Sequence, residues 1–365
     1  MRSPWTGALI ALAITGCTPY EGLTLLPGDP NSPSVDFCSI PESEIYQGGV
    51  GKDAIPALSD PKFVPGWHAE AAYLQDEDLV VGIRVGGDVL ALPHRIFWYH
   101  EIVNFELFDR AFAVTHCPLT GSSLAFDRGV VDDVEFGVSG LLYNNNLIMY
   151  ERGLGLQSFW PQMSRGARCG PRLGTALTMY PVVELTWGAW RDMYPQTWVI
   201  SEETGHDFRY EVYPYGDYRS IDNFEVLFPL DIDWTRPPKE RVLGVVDDAG
   251  GVGYPFEELR DLGPIGVVEH AGVTSAPGGT VIFWDASAKA AMAYSREVDA
   301  VELTFAVVGD EIVDQETGST WRVDGVATSG SLQGMSLAPV AEAYAAYWFA
   351  WAAFEPDAVL WEAPQ

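Results

Sequence analysis

The chain has 365 residues and carries 51 acidic against 21 basic side chains, a formal net charge of −30 at pH 7. A surface of this charge repels nucleic-acid phosphates and anionic headgroups, so the composition argues against a nucleic-acid-binding role. Apolar residues make up 47% of the sequence, which is enough for a packed core and is not typical of a disordered protein.

The N-terminus predicts a secreted lipoprotein. Arg2 supplies a short positive region, residues 8–14 form an apolar stretch too short to span a bilayer, and residues 14–16 offer a cleavage site. Cys17, directly after Ile-Thr-Gly, resembles the bacterial lipobox and implies cleavage before this cysteine and lipidation of its thiol. Because Thr18 is not the aspartate that often retains such proteins at the inner membrane, we expect a lipid-anchored protein of the cell envelope at the outer membrane. The alternative is an ordinary secretory signal with a chance cysteine.

The remaining cysteines predict one disulfide and one free thiol. Lipidation of Cys17 would leave Cys38, Cys117 and Cys169, an odd number in an oxidising compartment. Neither Cys38 nor Cys169 lies in a motif-like context, so we predict that these two pair. Cys117 is then the thiol that stays free.

Four segments follow from composition. Residues 1–16 are the predicted signal peptide, and 17–38, rich in Pro, Gly and Ser, form a lipidated tether. Residues 39–240 form a first region that carries the candidate site, and 241–365 form a second, degenerate repeat of it.

The first region contains several local patterns. Residues 79–92 predict a β-hairpin turning at 86–88, and 93–108 predict a strand or a short helix after Pro93. Residues 113–128 predict a strand, a tight Pro/Gly loop and a second strand, and 137–152 predict two strands joined by three asparagines. A helix is predicted at 185–192, ending before Pro195.

The second region repeats residue types of the first at a nearly constant offset. Trp187 and Trp190 match Trp348 and Trp351, and Trp160 matches Trp321. This spacing favours an internal duplication over coincidence in an aromatic-rich chain. In the same register Cys117 falls opposite Asp285 and His116 opposite Trp284, so the second copy has neither thiol nor histidine. We therefore predict a β-rich α+β fold of two related halves of short antiparallel strands with few helices.

Several ordered motifs resemble a bacterial family known as domain-of-unknown-function family 3179. The matching pieces are KDAIPAL (52–58), YHEIVNF (99–105), VTHCPLTGSSLAFDR (114–128), FGVSGLLYNNNLIMYER (136–152), FPLDIDWTRPPKERVLGV (228–245), ETGSTWRVDG (316–325) and YWFAWAAFEPD (347–357). Relatives commonly carry the sequence CPLC where this chain has CPLT (117–120), so Thr120 replaces the second thiol of a redox CxxC pair. Relatives also commonly have Trp at the position of Tyr99. The resemblance implies no specific activity.

The candidate site is centred on Cys117 and on histidines near it. We predict a copper or zinc site with His94, His100, His116 and Cys117 as ligands, because imidazole and thiolate suit these metals. Glu101 could orient a ligating imidazole, or act with Cys117 in catalysis.

His94 and His100 would share a face if their segment were a strand. Trp160 and Gln162 are candidates for binding an unknown small molecule beside the cysteine loop.

Two other interpretations remain open at this point. A thiol enzyme could use Cys117 as nucleophile with His100 as its base. Alternatively, the thiol and the histidines could be structural parts of the core. The chain would then be a non-catalytic surface lipoprotein that binds a ligand or a protein partner.

Overall fold

The computed structural model describes residues 37–153, 155–247, 250–270 and 276–364. The predicted signal peptide, Cys17 and nearly all of the predicted tether lie outside these ranges. Within them the protein is β-rich with a few short helices, which confirms the predicted fold class. None of the helices in the described part of the chain is long and apolar enough to cross a membrane.

The strands of the first region are β1 (Ile45–Gln47), β2 (Leu58–Ser59), β3 (Phe63–Pro65), β4 (Leu79–Val85), β5 (Asp88–Pro93), β6 (Ile102–Leu107), β7 (Arg110–Cys117), β8 (Ser122–Asp127), β9 (Phe136–Tyr143), β10 (Asn146–Glu151), β11 (Phe159–Pro161), β12 (Thr178–Tyr180), β13 (Val183–Thr186) and β14 (Trp198–Ile200). Those of the second region are β15 (Arg241–Asp247), β16 (Gly250–Pro255), β17 (Ile265–His270), β18 (Thr280–Asp285), β19 (Ala290–Ser295), β20 (Glu297–Val298), β21 (Val301–Glu302), β22 (Phe305–Val308), β23 (Glu311–Asp314), β24 (Thr320–Trp321), β25 (Ala343–Tyr347) and β26 (Val359–Leu360).

Four α-helices are described in these ranges, each six or seven residues long: α1 (His94–His100), α2 (Trp187–Met193), α3 (Phe256–Asp261) and α4 (Trp348–Phe354). Single 3₁₀ turns occupy Glu42–Glu44, Ala69–Ala71, Arg128–Val131 and Gln162–Ser164.

The predicted hairpins of the first region are confirmed. Strands β4 and β5 pair around Gly86, β7 and β8 flank the cysteine loop, and β9 and β10 join through Asn144 and Asn145. Both asparagines have positive φ, the conformation that a two-residue hairpin turn requires and that asparagine tolerates. The segment after Pro93 is a helix, α1, followed by strand β6.

The two regions share much of their strand order, although the sheets of the first region include the additional strands β1, β2, β3 and β12. In the first, β13, β4, β5 and β14 form a sheet in that order, with β14 parallel to β5; in the second, β25, β15, β16 and β26 do the same, with β26 parallel to β16. The triplets β6-β7-β8 and β17-β18-β19 also correspond, as do β9-β10-β11 and β22-β23-β24. This is a correspondence of topology and register; a duplication of the sequence itself stays a prediction.

In both regions a tryptophan ring packs directly on a glycine. The ring of Trp190 on α2 lies over Gly82 of β4, and the ring of Trp351 on α4 lies over Gly244 of β15. A Cβ at Gly82 would lie 2.4 Å from the Trp190 ring, and a Cβ at Gly244 would lie 1.9 Å from the Trp351 ring. A larger residue at either position would therefore displace the helix. The two regions also share one core, because Cys117 of β7 packs in the same apolar cluster as Val242 and Trp351.

The predicted disulfide is confirmed. Cys38 and Cys169 are bonded across a sequence separation of 131 residues. Cys117 is the free cysteine of the described residues, and it is buried. The disulfide therefore joins the start of the described chain to the segment that follows β11.

Candidate functional site

Three side chains of types that bind metal ions meet between helix α1 and strands β7 and β13 of the first region. His94 is the first residue of α1, His116 lies near the end of β7, and Glu184 lies on β13. One ligand atom of each falls within 4.8 Å of the others. All three are buried, with 7%, 4% and 8% of their surface exposed, so the cluster is shielded from bulk water.

Hydrogen bonds connect these side chains into one network. The hydroxyl of Ser123 donates to Glu184 Oε2 at 2.7 Å and lies 2.9 Å from His116 Nδ1. Strand pairing sets this arrangement, since His116 of β7 lies directly opposite Ser123 of β8. Glu184 Oε2 also lies 3.0 Å from His94 Nε2, and the two imidazole rings are 4.0 Å apart between centroids.

Arg241 completes the cluster from the second region. This first residue of β15 donates from Nη2 to Glu184 Oε1, while its guanidinium lies over the ring of Phe256. Burial alone would raise the pKa of Glu184, but Arg241 and His94 hold it well below its ordinary value. Burial, reinforced by His94, lowers the pKa of His116 well below its usual value. A carboxylate and a neutral imidazole are the forms that bind a metal ion.

His100 is separated from this cluster because its segment is helical. Six residues along an α-helix rotate a side chain to a position about 120° away around the axis, so the shared face expected for a strand does not form. His100 Nδ1 lies 2.7 Å from the carbonyl oxygen of Pro56 and Nε2 lies 2.6 Å from the hydroxyl of Tyr210. Burial lowers the pKa of His100 to about 4. Both of its ring nitrogens are thus occupied.

Cys117 also lies apart from the two clustered histidines. It is adjacent to His116 on β7, and successive strand residues point to opposite faces. Its Sγ donates to the carbonyl oxygen of Asn145 over 3.9 Å. Burial, reinforced by nearby Glu101, raises the pKa of the thiol to about 11. Within the described ranges, the one group of three metal-ligating side chains contains neither Cys117 nor His100.

Glu101 occupies the joint between α1 and β6, where its φ is 56°. Its backbone oxygen accepts from the backbone N–H of His116 at 2.8 Å. Burial raises the pKa of its side chain to about 8. This carboxyl therefore stays largely protonated at neutral pH and is poorly suited to activating a thiol.

Trp160 and Gln162 are fully buried. Trp160 Nε1 donates to Glu151 Oε2 at 2.7 Å, and the Gln162 side chain bonds Ser122 and Thr115 below the cysteine loop. Their polar atoms are used by the protein itself, and neither residue lines a described cleft.

We expect Cys117 to be inert in the folded protein. At pH 8 a thiol of pKa about 11 is ionised roughly 200-fold less than an ordinary cysteine of pKa about 8.5, and burial also hinders the approach of a reagent. In a Cys17→Ser chain, Ellman's reagent should therefore titrate one thiol in denaturant and almost none in native buffer. Rapid labelling of the native protein would contradict the described burial and revive the thiol-enzyme interpretation.

The second region fills the equivalent position with apolar side chains. Phe256 begins α3 as His94 begins α1, and each follows a proline. Trp284 lies opposite Ala291 in the β18–β19 pair, at the same position from the strand end as His116 opposite Ser123. The rings of Phe256 and Trp284 pack 5.2 Å apart. The same topology therefore accommodates an apolar cluster at the equivalent position of the second region.

The residues that sequence reasoning missed are Glu184, Ser123 and Arg241. The sequence offers one indication that Glu184 is functional, because it is the single acidic residue in the apolar run VVELTW (182–187). The helix predicted at 185–192 is present but begins two residues later, at Trp187, and Glu184 lies before it on strand β13. From this strand Glu184 contacts His94, the first residue of α1.

Comparison with known families agrees with the resemblance stated above. Residues 52–358 match the family described as "Protein of unknown function (DUF3179)". The chain belongs to this family. No curated protein and no solved structure matches the chain.

The part of the chain that matches family DUF3179 extends over both regions. It includes all five residues of the cluster: His94, His116, Ser123, Glu184 and Arg241. The family description supplies no activity. Function must therefore be argued from the chemistry of the site, because a fold alone does not specify one.

Proposed function

We propose that this protein is a lipid-anchored cell-envelope protein that binds a copper or zinc ion through His94, His116 and Glu184. The observation that carries the proposal is the convergence of these three side chains within 4.8 Å. Two imidazoles and one carboxylate form a ligand set known from catalytic zinc sites that keep an open position for water or substrate. Either ion would support binding of a small molecule, and copper would also support redox chemistry on it.

The separation of two of the ligand atoms supports the proposal. Two ligand atoms at about 2.0–2.1 Å from a tetrahedral zinc are roughly 3.3 Å apart. His94 Nε2 and Glu184 Oε2 are separated by 3.0 Å, so a metal could replace the proton between them with small movements. The third ligand would have to approach from a separation of at most 4.8 Å.

Ser123 and Arg241 would act as outer partners of the ligands. Ser123 contacts both His116 and Glu184, and Arg241 binds the oxygen of Glu184 that faces away from His94. Such partners fix the orientation of ligating groups. Arg241 also offsets the carboxylate charge, which favours a weaker site than an uncompensated carboxylate would give.

The anchoring part of the proposal rests on residues 14–17, which lie outside the described ranges. It predicts that cells expressing the full chain incorporate labelled palmitate into it, and that Cys17→Ala abolishes the label. Equal labelling of the Cys17→Ala chain would remove the anchor from the proposal.

Metal binding is tested by elemental analysis and calorimetric titration of purified, tag-free protein with Zn²⁺ and Cu²⁺. Loss of an outer-shell partner weakens metal binding by about 10–100-fold, so loss of a ligand should weaken it by at least about 100-fold. We therefore expect His94→Gln and His116→Gln to bind at least 100-fold more weakly than wild type. The matched control is His206→Gln, because His206 is exposed and lies outside the cluster.

Circular dichroism and thermal melts would show that the glutamine variants remain folded. A wild type that binds neither ion, or His94→Gln and His116→Gln variants that bind as tightly as His206→Gln, would refute the metal site.

A further inference from the structure

A surface cleft of about 580 Å³ opens beside the histidine cluster. This volume is within the range typical of small-molecule sites. His94 lies on its wall, and Trp98, four residues later on α1, also belongs to the lining, although only 6% of its surface is exposed. A molecule bound in the cleft would therefore approach the cluster from the side of His94.

The lining of the cleft contains three basic and three acidic side chains. Arg95, Arg219 and Lys289 all line it. The guanidinium of Arg219 is oriented by two rings, at 5.1 Å from Trp98 and 4.7 Å from Tyr213. No salt bridge of Arg219 or Lys289 is formed with the described residues.

Lys289 is connected to the histidine cluster through the backbone. It lies in the turn between β18 and β19 with a φ of 53°, and its carbonyl oxygen accepts from Arg241 Nη1 at 3.3 Å. Arg241 in turn holds Glu184. The turn that carries the Lys289 ammonium is thus fixed relative to the cluster.

Acidic residues of the cleft limit the charge that it can accept. Asp78 is paired with Arg95 at 2.6 Å, so these two charges cancel. Glu77 and Asp217 are exposed members of the lining and reduce the positive potential of Arg219 and Lys289. With Arg95 and Asp78 cancelled, Arg219 and Lys289 are balanced by Glu77 and Asp217, so the lining has no net charge. An anion would therefore depend on direct contacts with the two cations, and the two exposed acids repel a dianion such as a phosphate monoester more than a monoanion.

We infer that the cleft binds a small organic monocarboxylate, with its carboxylate on Arg219 and Lys289. A guanidinium and an ammonium form charge-assisted hydrogen bonds to a carboxylate, and a planar guanidinium fits it well. The inference deepens the proposed function, because the far end of the ligand would face His94 and the metal ion. The charged anchor itself does not depend on the metal.

The test is calorimetric titration of the full chain, with and without bound metal, using acetate, benzoate and phenylacetate as probes. Benzamide serves as the neutral analogue of benzoate, and phenyl phosphate as the dianion. Removing one charged hydrogen bond should weaken benzoate binding by about tenfold or more, so we expect this loss in Arg219→Gln and in Lys289→Gln. Arg260→Gln, which removes an exposed arginine of the second region, should bind as wild type does.

The inference is supported if benzoate binds at least tenfold more tightly than benzamide and phenyl phosphate, with the expected loss in both cleft variants. It is overturned if none of the three monocarboxylates binds at millimolar concentration, if phenyl phosphate binds more tightly, or if Arg219→Gln and Lys289→Gln match Arg260→Gln. Zn²⁺ and Cu²⁺ titrations of the same variants separate the two proposals. Carboxylate binding by metal-free protein without any metal affinity would refute the metal site alone.

Discussion

Replacing Glu184 with alanine should lower the free energy of unfolding by about 3–5 kcal/mol, the usual cost of removing one partner of a buried ion pair. The side chains of Glu184 and Arg241 are only 6% and 19% exposed. Removal of the carboxylate leaves Arg241 without its counter-charge, and Ser123 and His94 lose their acceptor. Chemical denaturation of wild type and variant in metal-free buffer at pH 7 measures the difference.

The matched control is Glu297→Ala, because Glu297 is exposed and such changes usually alter stability by less than about 0.5 kcal/mol. Glu184→Ala/Arg241→Ala should be less destabilised than the sum of the two single variants, since they share one interaction. A loss of less than about 1 kcal/mol in Glu184→Ala would show that this carboxylate is not the centre of the network.

The same ion pair should make stability sensitive to acid. Arg241 and His94 keep the pKa of Glu184 below its ordinary value despite burial, so the unfolded chain takes up a proton before the folded one does. The contribution of Glu184 is therefore complete above the unfolded pKa of about 4.3 and is lost as the pH falls below it. The stability difference between wild type and Glu184→Gln should shrink between pH 5 and pH 3.

Replacing both Cys38 and Cys169 with alanine should destabilise the protein by about 3–5 kcal/mol. The bond closes a loop with a sequence separation of 131 residues, and a cross-link over such a distance strongly restricts the unfolded chain. Urea denaturation of oxidised wild type and of the double variant measures the loss.

Wild type treated with a reductant provides the matched comparison, because it should lose as much stability as the double alanine variant. Metal affinity should not change, since Cys169 packs with Ile45, Ile148 and Phe159 in a cluster separate from the histidines. A double variant as stable as oxidised wild type would mean that the described pairing does not constrain the unfolded chain.

Local patterns in the sequence predicted much of the fold. The hairpins around Gly86 and Asn144, and the strands on either side of the cysteine loop, follow from alternation and turn residues whose effects extend over a few positions. The disulfide followed from the number of thiols. The sheet order could not be predicted in this way, because β5 pairs in parallel with β14, more than 100 residues later.

The candidate site was predicted in part. His94 and His116 are brought together, whereas His100 and Cys117 point elsewhere, because the segment after Pro93 is a helix and β7 alternates its faces. Glu184 and Arg241 reach the cluster from strands distant in sequence. Spacing along the chain contains no information about such contacts, so these residues required the structure.

The contact between Arg241 and Glu184 has a consequence for symmetry. A two-fold dimer of identical subunits must build every intersubunit contact twice, and any substitution appears at both copies. Here both regions belong to one chain, so one region could present His94 and His116 while the other presents Phe256 and Trp284 at the matching positions. Arg241 joins them in a single asymmetric contact. An expressed first region alone would lack this guanidinium and therefore could not form the complete centre.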